Sequence, residues 1–85
     1  MIDLTWDDPP RDELADIWVT ATPKERETIE PIVIKLERDL LAAPLSVGES
    51  REDPLRVAIL LPLVVWFNVN LTQVRIVRVT RPQRK

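Results

Sequence analysis

Arginine is the residue in this chain best able to do chemistry, and it is concentrated at one end. Residues 51–85 carry Arg51, Arg56, Arg75, Arg78, Arg81, Arg84 and Lys85 against only Glu52 and Asp53, a balance of +5. Residues 1–50 carry Arg11, Lys24, Arg26, Lys35 and Arg38 against twelve acidic side chains, a balance of −7. A guanidinium grips phosphate or carboxylate in a fixed fork and can steady negative charge developing in a transition state. It does not exchange protons near neutral pH, so arginines alone make a poor general acid–base pair. An acidic front and a basic back suggest a surface for an anionic partner. The plainer alternative is that strands simply point long basic side chains at water.

Other catalytic tools are scarce. The chain has no His, Cys or Tyr. It therefore lacks an imidazole base, a thiolate, a phenol and the usual zinc ligands, and no metal or other cofactor is expected. Asp12, Glu13 and Asp16 share a neighbourhood by helical spacing, but in a first turn acids favour the helix dipole, so a solvated face is expected. Ser46 and Ser50 flank the only glycine, Gly48, with no base near them in sequence. They read as turn residues around a positive-φ position.

The elements that would position the arginines follow from pattern. The 85 residues make one domain, 45% hydrophobic, which is ample for a core. The absence of cysteine suits a reducing cytoplasm. Asp3, Asp7 and Asp8 stand where a secretory leader would carry basic residues, and the run Val57 to Phe67 is too short to span a bilayer, so a soluble, cytoplasmic protein is expected. Ile2 to Trp6 alternates as a short strand. Asp7 or Asp8 then caps a helix reaching roughly Thr20, with Leu14, Ile17, Trp18 and Ala21 along one side. Thr22-Pro23-Lys24-Glu25 starts a second helix with a capping box. Its stripe is Ile29, Ile32, Val33, Leu36 and Leu40, and Pro31 should kink it or delay its start. Three apolar strands follow, beginning at Leu55, Pro62 and Val74. The expected fold is α+β, a two-layer sandwich of order β-α-α-β-β-β with both helices on one face of an antiparallel-rich sheet.

The strands are apolar on both sides. Leu63, Val65, Phe67 and Val69 share one side, and Val64 and Trp66 the other. Placing Ala58 and Leu60 with Val64 and Trp66 gives an apolar face that two helices cannot cover. Such a patch marks a partner site, unless loops, the chain termini or a second copy close it.

Order and spacing together resemble the RelE/ParE superfamily, the toxins of type II toxin–antitoxin systems. Asp12-Glu13-Leu14-Ala15-Asp16-Ile17-Trp18 is similar to the "L-A-x-I-W" of its first helix. Pro44 to Arg51 resembles the "P-x-x-x-G-x-x-R" that precedes its strand meander. Leu55-Arg56-Val57, Pro62 to Val69 and Val77 to Arg81 are similar to its last three strands. The resemblance covers nearly the whole chain.

For RelE-like members it implies ribosome-dependent cleavage of mRNA by a basic cluster with an aromatic or His. Two basic positions of that cluster fall on Val64 and Ala58 here. Arg56 and Arg81 remain near basic positions, and are the catalytic candidates if the chain is a ribonuclease. ParE-like members, the resemblance implies, poison DNA gyrase by binding it and need no nuclease residues. The expected function is therefore a ParE-like toxin, acting by macromolecular binding and silenced by a cognate antitoxin. An arginine-based ribonuclease and an inactive homologue are the alternatives. Arg51, Arg56, Arg75, Arg78, Arg81 and Arg84 are the expected contacts to nucleic acid or target. Arg56, Arg75, Arg78 and Arg81 are expected on one face, and because Arg75 and Arg78 differ in strand parity a bulge near Ile76-Val77 is needed to bring them together. Val64, Trp66, Ala58 and Leu60 are expected to bind the antitoxin, and a homodimer is expected from the same face. No membrane partner is expected.

Overall fold

Local capping rules are obeyed at the start of the second helix but not of the first, whose N-cap Asp7 makes no capping bond with its side chain. A computed structural model describes residues 2–82. Strand β1 (Asp3–Trp6) leads into helices α1 (Asp8–Thr20) and α2 (Pro23–Ala42). A 3-10 turn at Pro44–Ser46 is followed by β2 (Glu49–Glu52), β3 (Leu55–Leu60), β4 (Leu63–Val69) and β5 (Gln73–Thr80). At α2 the capping box is complete: the Thr22 hydroxyl accepts from the Glu25 amide, and the Glu25 carboxylate accepts from the Thr22 amide. Pro31 does not delay the start, because α2 runs continuously across it. The Glu27 carbonyl that Pro31 leaves without its helical donor is at an exposed position, where water can serve it.

The sheet order is β1-β5-β4-β3-β2, with β1 parallel to β5 and every other pair antiparallel. The expected architecture is thus found with one strand more. Glu49–Glu52 was expected to be loop and instead forms the edge strand β2. Its four residues are polar and exposed, so it carries no apolar alternation and is held by backbone pairing to β3.

The core lies between the helices and one sheet face. Ile29, Leu36 and Leu40 of α2 meet Ala58, Leu63, Val65, Phe67, Val74, Ile76 and Val79. Leu36 is 3% exposed, which confirms the helix phase read from sequence. Each large side chain buried there contributes about 1.5–3 kcal/mol. Leu14, Trp18 and Val33 are only partly buried, although full burial was expected, because a groove between α1 and α2 leaves them open.

Residues opposite one another in an antiparallel ladder share a face. Ala58 faces Val65 and Leu60 faces Leu63, so both lie on the helix side. Their placement beside Val64 and Trp66 is corrected: Ile59 is paired with Val64 and Val57 with Trp66. A one-residue error in relative register moves every side chain of a strand to the opposite face, and the apolar character of both sides of β3 hid it.

Beyond the end of β1, α1 guards the rest of β5. The Asp7 amide donates to the Ile76 carbonyl at 3.0 Å, and the Glu13 carboxylate accepts from the Val79 amide at 2.9 Å. Glu13 therefore serves β5 in place of a neighbouring strand, whereas Asp12 and Asp16 are exposed as expected.

Candidate functional site

A bulge in β5 sets the geometry of the arginines. Phe67 pairs with Ile76 and Trp66 with Arg78, so Val77 has no residue opposite it. Arg75 faces Asn68 and Arg78 faces Trp66, which places both arginines on the sheet face away from the core. The bulge anticipated near Ile76-Val77 is present and brings these two together. Arg56 is not with them, since its partner Phe67 is on the core side. Arg84 lies outside the described residues.

Most of these arginines are already engaged by their own chain. Arg56 donates to three carbonyls: Leu45 at 3.1 Å, Val47 at 3.1 and 3.2 Å, and Gly48 at 3.1 Å. It fastens the loop between α2 and β2 onto β3. Arg75 grips Asp7 in a fork, Nε to Oδ1 at 3.2 Å and Nη2 to Oδ2 at 2.8 Å. Arg81 pairs with Glu25 at the start of α2. Arg51 reaches Glu49 on the same exposed strand at 3.4 Å. Arg78 lies 3.9 Å from Glu13 and sits over the Trp66 ring, 5.6 Å from its centroid.

The charge asymmetry between the two ends of the chain has its explanation here. Asp7, Glu13 and Glu25 from the acidic end face Arg75, Arg78 and Arg81 of the basic end. Such exposed pairs contribute about 0–1 kcal/mol each, so their main effect is to cancel charge. Among the described residues, no three His, Cys, Asp or Glu side chains gather where they could hold a metal ion.

Among the described residues, apolar surface is exposed on the outer sheet face, between α1 and α2, and beside Leu45 and Leu71. On the outer sheet face, Val64 and Trp66 are half-buried and Ile59 is 62% exposed, with Val57 buried beneath them. The second was missed from sequence: a groove of about 490 Å³ between α1 and α2, lined by Leu14, Trp18, Ile29, Val33 and Ile34 with Arg11 and Glu30. Its sequence signal is the pair Val19 and Ile34, apolar residues standing off the buried stripes and largely exposed. Arg26 donates to the Trp18 carbonyl at 2.9 Å and lies over the Trp18 ring.

No helix among the described residues is long and apolar enough to cross a membrane. No protein-family model matches the sequence, and no characterised protein matches it by sequence. Among solved structures, a chain from the chromosomal ParDE TA system from P. aeruginosa is similar to it, with a TM-score of 0.75 at 20% identity. The match covers 98% of this chain and 98% of that one. At that identity the likeness is one of fold: two helices against a five-stranded mixed sheet.

Proposed function

We propose that this protein is the toxin-like member of a toxin–antitoxin pair, that it acts by binding a macromolecule, and that a cognate antitoxin neutralises it. The fold shared with a ParDE chain supports the pairing. The observation that carries binding over catalysis is the state of the arginines. Arg56 and Arg81, the candidates for an RNA-cleaving site, are occupied by backbone carbonyls and by Glu25 respectively. The carboxylates beside these arginines, Asp7, Glu13 and Glu25, are the groups there that could exchange protons, and each is already engaged, by the Arg75 fork, the Val79 amide and Arg81 respectively. DNA gyrase is the proposed target, by analogy of fold.

The antitoxin interface is proposed on the outer sheet face, at Val64 and Trp66 with Ile59. Tryptophan and arginine are the usual anchors of such interfaces, and both are present. Self-association through this face would give a homodimer in the antitoxin's absence.

The test is expression of the chain alone and together with any small DNA-binding protein encoded beside it. Growth arrest alone, relief on co-expression, and inhibition of purified gyrase without mRNA cleavage on translating ribosomes are expected. Codon-dependent cleavage on those ribosomes would replace this reading with the ribonuclease. Antitoxin binding with neither growth arrest nor any effect on gyrase would indicate an inactive homologue.

A further inference from the structure

Helix α2 turns a stripe of exposed side chains away from the core: Glu27, Glu30, Ile34, Arg38 and Leu41, spaced three or four residues apart and so stacked on one side. Along the helix they read acid, acid, apolar, base, apolar. Ile34, at the middle, is 57% exposed. The Glu27 and Glu30 carboxylates make no ion pair among the described residues. Arg38 lies 3.9 Å from Asp39, whose other oxygen is held by Lys35 at 2.6 Å. Glu30 and Ile34 also line the groove between α1 and α2, so a helix laid on the stripe covers part of that groove as well.

The order of the charges selects the occupant. Glu30 stands four residues before Ile34 and Arg38 four residues after it, so the stripe reversed about Ile34 is its own complement. An identical helix laid antiparallel sets Ile34 against Ile34 and each Glu30 against the other copy's Arg38. Leu41 then falls beside the stem of Glu27, seven residues from the centre on each side. A helix of one charge sign would match only half of the stripe. We infer that two copies of this protein pair through α2, antiparallel, on a two-fold axis at Ile34. Such an isologous contact closes on itself. The 20 residues of α2 are about 30 Å long and about 10 Å across, a footprint below that of standard interfaces, so the pair is weak and forms at high local concentration. The helices cover the opposite side of the sheet from Val64 and Trp66, so the pairing leaves that face open and does not depend on the toxin reading.

Packed helices lie about 8–10 Å apart with Cα atoms about 2.3 Å from each axis, which brings the two Ile34 Cα atoms to about 4–5 Å, within reach of a disulfide. The chain has no cysteine, so Ile34→Cys reports on this axis alone. Oxidised with copper–phenanthroline in air, the full-length Ile34→Cys variant is expected to link into dimers on the order of tenfold faster than Thr28→Cys, which is exposed on another side of α2. Within the Ile34→Cys background, Glu30→Arg and Arg38→Glu each set like charges face to face at two symmetric points and should slow linkage several-fold. Mixed together, the same two variants regain both attractions, so the heterodimer, told apart by mass, should exceed its chance share. Circular dichroism melts check that each variant folds like the parent. Should one not, the double variant Glu30→Arg/Arg38→Glu, which restores the match within one chain, is expected to link like Ile34→Cys alone. Equal rates at positions 34 and 28 would overturn the inference and leave the stripe to a different partner. Heterodimer at no more than its chance share would overturn it too. Dimers linked as expected from a chain that neither arrests growth nor binds an antitoxin would refute the toxin reading and leave this pairing intact.

Discussion

Arg56→Ala should destabilise the fold while leaving no anion-binding defect of its own. The guanidinium makes four contacts to three carbonyls, two of them to Val47. A hydrogen bond involving a charged group contributes about 1.5–3 kcal/mol net when both partners are shielded from water. Leu45 and Gly48 are exposed, so water can replace Arg56 at their carbonyls; Val47 is half-buried and loses both its donors. The expected loss is therefore close to one such bond with small additions, about 2–3 kcal/mol. For a domain whose total stability is about 5–15 kcal/mol that is a large share, and it corresponds to a fall in Tm of roughly 10–20 °C. Thermal unfolding followed by circular dichroism measures it, with Arg56→Lys as a comparison that keeps the charge and loses the fork. Arg56→Lys should recover less than half of the loss. A Tm within about 2 °C of the parent for Arg56→Ala would refute the clamp and return Arg56 to the pool of residues free to meet a ligand.

Leu36→Ala, at the centre of the core, should lose about 2–5 kcal/mol in denaturant titration, with an unchanged m-value. Gly48 has φ +64°, and an added Cβ would stand 2.2 Å from the Val57 carbonyl oxygen. Gly48→Ala should therefore separate β2 from β3, read as new amide exchange at Val57 with the α2 amides still protected. Asp39 has its carboxyl held below the ordinary aspartate value, chiefly by the hydrogen bond from Lys35 at 2.6 Å. Its small contribution is present above the unfolded-state pKa and disappears as pH falls through the folded-state one, so Lys35→Met should raise the Asp39 midpoint in an NMR titration. Trp66→Ala and Val64→Asp should weaken antitoxin binding and self-association seen by light scattering; two variants that fold, bind and associate like the parent would move the interface elsewhere, the α1–α2 groove being the next surface to test.

What could be read from the sequence was governed by periodicity. The two helices, with their Thr22 box and Leu36 phase, are set by contacts three or four residues apart and were legible almost to the residue. The bulge at Val77 was legible too, because Arg75 and Arg78 have opposite parity and only an extra residue between them puts both on one face. The orientation of β3 was not. With Val57, Ala58, Ile59 and Leu60 all apolar, either face could be the buried one, and only pairing with β4 decides. Strand β2 was invisible for the opposite reason, having no apolar residue to reveal its pleat. The functional reading of the arginines failed where it depended on distance along the chain. Nothing near Arg75 in sequence announces Asp7, and nothing near Arg56 announces the carbonyls it clamps.

The parallel pairing of β1 with β5 has a consequence for synthesis of the chain. Asp3 waits for Gln73, and Trp6 for Ile76, so the first strand has no ladder until 70 further residues have been made. The strand that arrives latest is also the one seated between β1 and β4, supplying Val74, Ile76 and Val79 to the core. Until it emerges, the helices and the β3–β4 hairpin hold Phe67, Val65 and Leu40 without their cover, in a state prone to association. Closure across so long a span also slows folding relative to a helical domain of this size. A nascent chain stalled before Gln73 is therefore a half-built sheet that cannot present the Trp66–Arg78 pair at all.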